Sequence, residues 1–205
     1  TETSPLLAGT KVGSCRHGST GPAMQGVTLR IKNPDPVTGE GEIWARGENV
    51  MKGYYREPAM TAEVLTPDGW FRTGDLGVVD KHGYLSIRGR LKNMIVGSSG
   101  ENIYPEEIES VINDFGHVIE SLVVQKKGKL VAMVHLNIQE LQAKYAQMKK
   151  DFADQAELII NEYLEELQRY VNSQVNRYSQ LQLVVYQPEP FQKTATLKIK
   201  RFLYY

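Results

Sequence analysis

The chain has 205 residues, of which 41% are hydrophobic and 23% are charged. These values are ordinary for a globular protein, and the length suits one domain or two small ones. Lys plus Arg and Asp plus Glu each number 24, so the net charge is zero. This balance gives no electrostatic reason to expect nucleic acid as a partner, or a strong attraction to an anionic membrane surface.

Cys15 is the single cysteine, which excludes an internal disulfide framework and is typical of a reducing compartment. No activating base stands near it in the sequence, so we do not expect it to be a nucleophile. No apolar run approaches the length of a membrane span, and no signal peptide opens the chain. We expect a soluble cytoplasmic protein. Because Thr1 opens the chain with neither an initiator Met nor a tag, we also expect a piece of a longer protein.

Residues 1–89 are predicted to be mainly β-structure. Val27–Lys32 alternates apolar and polar residues, which is the pattern of a half-buried strand. After a turn rich in Asn, Asp, Pro and Gly, Glu42–Arg46 is predicted to return beside it. A second hairpin is predicted within Leu76–Ile87, where Asp80–Gly83 supplies the turn. We place a domain boundary near Gly89, after which the pattern changes.

Residues 90–205 mix helical and strand patterns, which is typical of an α+β domain. Pro105 suits the first position of a short helix, and Glu106 and Glu107 favour the positive end of its dipole. A long stretch follows later without Gly or Pro, and we interpret its apolar stripe as core packing rather than as a lipid-binding face. The predicted elements are a helix, a hairpin, a jointed helical stretch and a last strand: Tyr104–Ile112, Val118–Val124 with Leu130–Leu136, Ile138–Tyr178 with its joint near Asp151–Gln155, and Leu181–Tyr186.

Gly18–Gly21 resembles a phosphate-cradling loop, because small residues let backbone N–H groups approach an anion. A genuine P-loop needs a Lys-Ser/Thr pair and a following helix. Pro22 follows here instead, so we interpret the segment as a turn.

Gly69–Leu76 carries a stronger signal, because two glycines bracket an aromatic pair and place Asp75 directly after a tight turn. A carboxylate is an acceptor-only group whose two oxygens can take both hydroxyls of a ribose. An Asp that merely caps a hairpin is the alternative, and it would be preferred if the motif stood alone.

Six segments, in the same order, resemble motifs of the adenylate-forming superfamily, which includes acyl-CoA synthetases, luciferases and peptide-synthetase adenylation domains. The resemblance covers essentially the whole chain, and Thr1 and Glu2 look like the end of a Tyr-Gly-x-Thr-Glu motif. The six segments are Thr1–Glu2, Gly41–Gly47 with Gly53–Tyr55, Phe71–Leu76, Gly89–Asn93, Gly100–Glu109 and Lys193–Arg201.

The resemblance implies a role for one or two residues in five of these six segments. Glu2 would be a Mg²⁺ ligand, and Thr1 would contact the nucleotide phosphate. Asp75 would hold the ribose hydroxyls with the assistance of Arg90. Lys92 would be the hinge residue about which the small domain turns between two half-reactions.

The last two segments would serve the thiol and the adenylation step. Gly100 would line the passage for the pantetheine arm of coenzyme A. Lys198 would be the catalytic lysine, because Leu197–Arg201 matches the family's Gly-Lys-Ile-x-Arg ending. Leu197 replaces the Gly, as in long-chain acyl-CoA synthetases. Lys193 and Lys200 are close alternatives, and strand alternation would put Lys198 and Lys200 on one face.

The implied fold class is α+β. Residues 1–89 would be a partial antiparallel β subdomain, the remnant of the large domain's distorted β-barrel. Residues 90–205 would be the small mobile α+β domain.

The implied function is that of a long-chain fatty acid–CoA ligase fragment. Such an enzyme converts an acid and ATP to an acyl adenylate and pyrophosphate, and then forms acyl-CoA and AMP, with Mg²⁺ as cofactor. The subclass depends on Gly100–Pro105, on the helical insertion after Leu136 and on the Thr-Leu-Lys-Ile-Lys-Arg ending. Ligases that deliver the acyl group to a carrier protein or another acceptor remain the alternative.

The chain itself is expected to be inactive, because it lacks a phosphate-binding loop and a segment long enough for an acyl tunnel. A non-catalytic folded module is therefore a further alternative for the isolated chain. We expect self-association through exposed strand edges, and peripheral membrane contact of the parent enzyme is left open.

Overall fold

The computed structural model describes residues 1–148 and 156–205, which form two compact units, Thr1–Asn93 and Met94–Tyr205. The units therefore meet in sequence between Asn93 and Met94, one residue beyond Lys92. The functional boundary placed near Gly89 stays a prediction. Among the described residues, no helix has both the length and the apolar character needed to cross a membrane.

The first unit is built on an antiparallel five-stranded sheet in the order β1-β5-β4-β3-β2. Both predicted hairpins are present, as β2 with β3 and as β4 with β5. The sheet does not close into a barrel within the described residues, since β1 and β2 are its edges. The strands are β1 (Gly21–Pro22), β2 (Val27–Lys32), β3 (Gly41–Gly47), β4 (Phe71–Val79) and β5 (Tyr84–Arg90).

One face of this sheet forms the apolar core of the first unit. Ile43 and Ala45 of β3 are buried with Phe71 of β4, the partner of Ala45, and with Leu85 of β5. On β3 these inward residues alternate with Glu42 and others that point the opposite way, as a strand period of two requires.

The opposite face carries basic side chains stacked on two tryptophans. The Arg30 guanidinium lies 5.0 Å from the Trp44 ring centroid and 4.3 Å from that of Trp70. Arg46 stacks on Trp70 at 4.9 Å, and Arg72 on Trp44 at 5.3 Å. The two indoles are buried beneath these cations although they lie on the outer face.

A short helix, α1 (Pro58–Val64), connects β3 to β4 and was not predicted. Its Thr61 hydroxyl accepts a hydrogen bond from Tyr54 N at 2.9 Å. Gly53 has a φ of +146°, and a Cβ there would lie 2.8 Å from Thr61 Cγ2. The glycine is therefore needed both for its backbone conformation and for the close approach of α1.

The second unit places helices against a three-stranded sheet in the order β10-β9-β8, in which β9 pairs antiparallel with β8 and parallel with β10. A small hairpin of β6 and β7 precedes it. The elements are β6 (Ile95–Val96), β7 (Asn102–Ile103), α2 (Pro105–Asn113), β8 (Val118–Lys126), β9 (Lys129–Leu136), α3 (Ile138–Met148), α4 (Ala156–Gln174) and β10 (Leu183–Tyr186).

The core of the second unit lies between α2, α4 and this sheet. Ile108 and Ile112 of α2 are almost fully buried, as are Leu167 and Val171 of α4. Tyr163 is also buried, and its hydroxyl donates a hydrogen bond to Gly116 O. In α4 the apolar stripe is therefore a packing face, as predicted. The predicted joint near residues 151–155 lies outside the described residues.

Candidate functional site

Asp75 and Arg90 are direct partners across the β4–β5 pair. Arg90 Nε lies 2.7 Å from Asp75 Oδ1, and the two side chains are 43% and 29% exposed. The register of the pair shifts between Leu76 and Gly77, just beyond Asp75. The structure thus brings these two predicted site residues together and leaves their charged groups within reach of solvent.

The residues before Asp75 explain how the carboxylate is presented. The Thr73 hydroxyl donates to Ile43 O at 2.7 Å and accepts from Asp75 N at 3.0 Å. Gly74 has a φ of +71°, a left-handed conformation that strains most other residues. Arg90 Nη1 also donates to Thr73 O at 3.4 Å. Thr, Gly and Asp therefore each have a separate local function in this motif.

Glu2 lies beside Tyr54 in the same unit. The Tyr54 hydroxyl donates to Glu2 Oε1 at 3.3 Å, and Met51 N donates to Glu2 O at 2.8 Å. A hydrogen bond from its own backbone N–H lowers the pKa of Glu2, while burial and then the Glu2 charge raise the pKa of Tyr54. Glu2 is therefore ionised at neutral pH, and Thr1 beside it is exposed.

The donor set at Glu2 is small. Among the described residues, no group of three or more His, Cys, Asp or Glu side chains could hold a metal ion. Mg²⁺ in nucleotide sites is commonly bound through one or two carboxylates together with substrate phosphates and water. A single ionised Glu2 fits that pattern.

Lys92 and Gly100 lie close to the junction in sequence. Lys92 is exposed on a 3-10 turn, Leu91–Asn93, at the end of the first unit. Gly100 closes the β6–β7 turn in the second unit, where its N–H donates to Gly97 O at 3.1 Å. Its φ is +87°, and a Cβ there would meet no atom within 4 Å. The glycine is thus required by backbone conformation, and the space around it within its unit is open.

Lys198 is exposed at the end of a tight turn. Thr194 N donates to Lys198 O at 2.8 Å, and Lys198 N donates to the Thr194 hydroxyl at 3.2 Å. Leu197 has a φ of +60° within this turn. The threonine hydrogen bonds fold the segment before Lys198 into a turn, and Ile199 directly after it pairs with Lys193 in an isolated antiparallel bridge. The shared face expected for Lys198 and Lys200 stays a prediction.

The neighbouring Lys193 is engaged in an ion pair. Its Nζ lies 2.5 Å from Glu120 Oε2, and the Glu120 side chain is only 11% exposed. An ammonium held by a carboxylate is poorly placed to meet another anion. In the described part of the chain, Lys198 makes no comparable ion pair, which favours Lys198 over Lys193 as the catalytic lysine.

Sequence reasoning missed Glu109 and Arg201 as a pair. Arg201 Nη1 and Nη2 lie 2.9 and 2.8 Å from the two Glu109 carboxylate oxygens, and both side chains are largely buried. Burial raises the pKa of Glu109, against the opposing effect of Arg201. The sequence offered one indication of this pair. Glu109 is the last residue of the family segment Gly100–Glu109, and the oppositely charged Arg201 is the last residue of Lys193–Arg201.

Known proteins resemble the chain in sequence over most of its length. It is 38% identical over 159 residues to the long-chain-fatty-acid–[acyl-carrier-protein] ligase AEE15 of Arabidopsis thaliana, covering 69% of this chain and 22% of that protein. It is 33% identical over 183 residues to the 2-methylpropanoate–CoA ligase CCL4 of Humulus lupulus, covering 85% of this chain and 30% of that protein. No protein-family model matches the chain.

Solved structures resemble it in fold. The O-succinylbenzoate coenzyme A synthetase MenE from Bacillus subtilis, in complex with AMP, superposes with a TM-score of 0.76 and 26% identity, covering 100% of this chain and 39% of that one. The same enzyme with ATP and a magnesium ion has a TM-score of 0.76 and 25% identity, covering 98% and 39%. The chain resembles the C-terminal part of the adenylate-forming, acyl-activating ligases. The predicted family resemblance and the α+β fold class are confirmed.

The chain spans less than a third of the length of these two curated relatives, at 22% and 30%. The described residues therefore correspond to one portion of such an enzyme. The Asp75–Arg90 pair, the junction after Asn93 and the Lys198 turn all lie within this portion.

Proposed function

We propose that this chain forms the C-terminal part of an ATP-dependent, AMP-forming acid–thiol ligase. The observation that carries the proposal is the Asp75–Arg90 pair, at 2.7 Å and open to solvent, on a strand whose Thr73 and Gly74 shape the approach to Asp75. MenE, a solved structure of similar fold, is in complex with AMP. Asp75 accepts the ribose hydroxyls, and Arg90 orients the carboxylate.

The first half-reaction asks a carboxylate to attack the α-phosphate of ATP, so the protein must position the reactants and neutralise charge. Lys198, on its exposed turn, supplies a positive charge to the phosphate oxygens. Glu2 would hold Mg²⁺, which supplies further charge neutralisation at the phosphates when bound, and Thr1 would contact the nucleotide phosphate.

The second half-reaction transfers the acyl group from the adenylate to a thiol. In this step, the protein surface next to the adenylate must be a different one from the surface that carries Lys198. Lys92 is the residue about which the second unit turns, and Gly100 leaves room for the incoming pantetheine arm. The open space around Gly100 within its own unit supports that assignment.

The nucleotide assignment is tested in the full-length ligase that carries this chain, by ATP–pyrophosphate exchange. Asp75→Ala is expected to raise the KM for ATP about 10- to 100-fold, because each charge-assisted hydrogen bond contributes roughly 1.5–3 kcal/mol. Asp35→Asn, in a turn of the same unit, is the matched control. An unchanged KM in Asp75→Ala would remove the ribose role.

The proposed substrates are a long-chain fatty acid and coenzyme A. The long-chain subclass is supported by the Leu197–Arg201 ending, by the helical insertion after Leu136 and by the likeness to AEE15, whose name specifies a long-chain fatty acid. That same name specifies an acyl-carrier protein, which favours the alternative acceptor. CCL4 is named as a CoA ligase for a short branched acid.

An acceptor assay separates these alternatives. Full-length ligase is given ATP and either palmitate or 2-methylpropanoate, and then coenzyme A or holo carrier protein. Palmitoyl-CoA as the fastest product supports the proposal. Faster transfer to the carrier protein would assign the enzyme to the alternative class, and preference for 2-methylpropanoate would remove the long-chain assignment.

We also propose that these 205 residues are catalytically inactive by themselves, because their match covers only 22% and 30% of the two related ligases. Pyrophosphate exchange by the isolated chain with ATP and palmitate is expected to stay at the background rate. Exchange at a rate near that of the full-length ligase would contradict this.

A further inference from the structure

Two buried carboxylates flank the turn that carries Lys198. Glu120 pairs with Lys193 before the turn, at 2.5 Å. Glu109 pairs with Arg201 after it, through two contacts of 2.9 and 2.8 Å. Each of the two glutamates is only 9% exposed. The described turn is thus held by an ion pair on each side.

Both carboxylates also bind backbone N–H groups, which connects the turn to the sheet. Glu109 Oε1 accepts from Val123 N at 2.7 Å, and Arg201 Nη2 donates to Val123 O at 3.0 Å. Glu120, which lies on β8, accepts from Phe191 N at 2.9 Å through Oε1. The segment around Lys198 is therefore attached at two points along β8 and to α2 through Glu109.

An apolar contact brings the two ends of the segment together. Phe191 is 3% exposed and meets Tyr204 with ring centroids 5.1 Å apart. The Tyr204 hydroxyl accepts from Gln192 N at 2.8 Å. Residues 192–198, which lie between these anchors and include Lys198, are exposed.

We propose that Glu109 and Arg201 are a positioning pair for the catalytic Lys198, with Glu120 and Lys193 as a second, weaker anchor. This inference rests on the proposed adenylation function. A lysine ammonium sits on a long flexible stem, and a misplacement of about 1 Å in a reacting group costs on the order of 100-fold in rate. A backbone held by a bidentate arginine pair limits that freedom, because the planar guanidinium binds both carboxylate oxygens in a fixed geometry.

The two half-reactions distinguish positioning from general stability. Glu109→Gln keeps an oxygen for Val123 N but loses the charge that faces Arg201. In the full-length ligase, it is expected to lower the kcat of adenylation about 10- to 100-fold. Transfer to thiol from supplied acyl adenylate, which does not use Lys198, is expected to stay within about threefold of wild type.

Arg201→Lys is the second variant, because it keeps the charge but loses the bidentate contact. If Glu109→Gln fails to fold, Arg201→Lys alone tests whether the pair positions Lys198. It is expected to lower adenylation about tenfold with thiol transfer retained. Glu140→Gln is the control, since its exposed carboxylate faces His117 at 3.5 Å on another part of the unit. The control should leave both half-reactions unchanged.

Two results would overturn the inference. Equal losses in both half-reactions would show a purely structural role for the pair and overturn the inference. Full adenylation activity in Arg201→Lys would also overturn it. If the wild-type enzyme itself adenylates no acid, the proposed function fails instead, and the result is seen before any variant is made.

Discussion

At the scale of single residues, Leu197 is the clearest source of backbone strain. Its φ of +60° lies in the left-handed region, where the side chain crowds the following carbonyl at a cost of roughly 1–2 kcal/mol. Glycine would remove that cost, but it would increase the entropy of the unfolded chain by about 0.5–1 kcal/mol. The side chain itself is 79% exposed, so little packing opposes the change.

We therefore expect Leu197→Gly to stabilise the protein by about 0.5–1 kcal/mol, measured as a higher urea midpoint with an unchanged slope. Ala195→Gly is the matched control, since Ala195 lies in the same turn without a positive φ. The control should be neutral or destabilising. Equal effects of the two substitutions would show that Leu197 carries no strain.

Asp80 is a single residue that makes the free energy of unfolding depend on pH. The Tyr84 N–H first, and then the His82 N–H and the charge of Arg16, lower the pKa of Asp80 below its usual value near 3.8. A carboxyl with a lowered folded pKa stabilises the protein fully above its unfolded pKa, and the contribution is lost as the pH falls through the folded value.

Asp80→Asn keeps an oxygen for the two N–H groups but cannot titrate. Between about pH 5 and pH 2, the unfolding free energy of Asp80→Asn is expected to fall less than that of wild type. The reason is that the asparagine at position 80 takes up no proton on unfolding. Urea titrations of both proteins across that range measure the effect. A variant whose stability falls as steeply as that of wild type would contradict the assignment.

At the scale of elements, the outer face of β2, β3 and β4 is held by stacked cations. Arg30 lies over both Trp44 and Trp70. An exposed cation–π contact contributes about 0.5–1 kcal/mol. Arg30→Ala is therefore expected to lower the unfolding free energy by about 1–2 kcal/mol, since both contacts are lost together.

Arg30→Lys keeps the charge and should recover only part of that loss, because an ammonium cannot stack as a planar guanidinium does. Lys52→Ala, at an exposed site in the same unit, is the control and should have little effect. Chemical denaturation followed by tryptophan fluorescence reports directly on this face. Full recovery by Arg30→Lys would show that charge alone matters.

The elements that sequence predicted were those with a local pattern. The β2–β3 and β8–β9 hairpins follow from alternation and turn residues within short stretches. Helix α1 was missed because it buries none of its residues and so has no apolar period to detect. The parallel pairing of β10 with β9 depends on a connection of many residues, which no local pattern describes.

The residues of the candidate site also differ in whether a local sequence pattern could predict them. Asp75 and Arg90 could be predicted because both lie in motifs on one hairpin. Glu109 and Arg201 are 92 residues apart, so only the folded chain brings them together. No element was predicted for the residues directly before Lys198, where threonine hydrogen bonds form a turn that leaves no apolar period in the sequence.

At the scale of the whole molecule, the second unit has its own hydrophobic core. Its largest cluster of buried residues lies entirely within Met94–Tyr205 and joins α2, α4 and the β8–β9–β10 sheet. A second cluster around Leu122 and Phe191 lies in the same range. A domain that contains all of its core is expected to fold without the residues before it.

We expect residues 94–205, expressed alone, to unfold in a single cooperative urea transition, with a free energy of about 5–10 kcal/mol for a domain of this size. Leu167→Ala should lower that free energy by about 2–5 kcal/mol, because Leu167 is fully buried at the centre of the core. Glu140→Gln, at the surface, should have little effect. Circular dichroism and fluorescence curves that coincide in all three proteins would confirm an independent domain. A packed core responds to the loss of a buried side chain, and a loosely collapsed one does not. Gradual, probe-dependent unfolding that is the same in Leu167→Ala would therefore show that this core forms only within the longer chain.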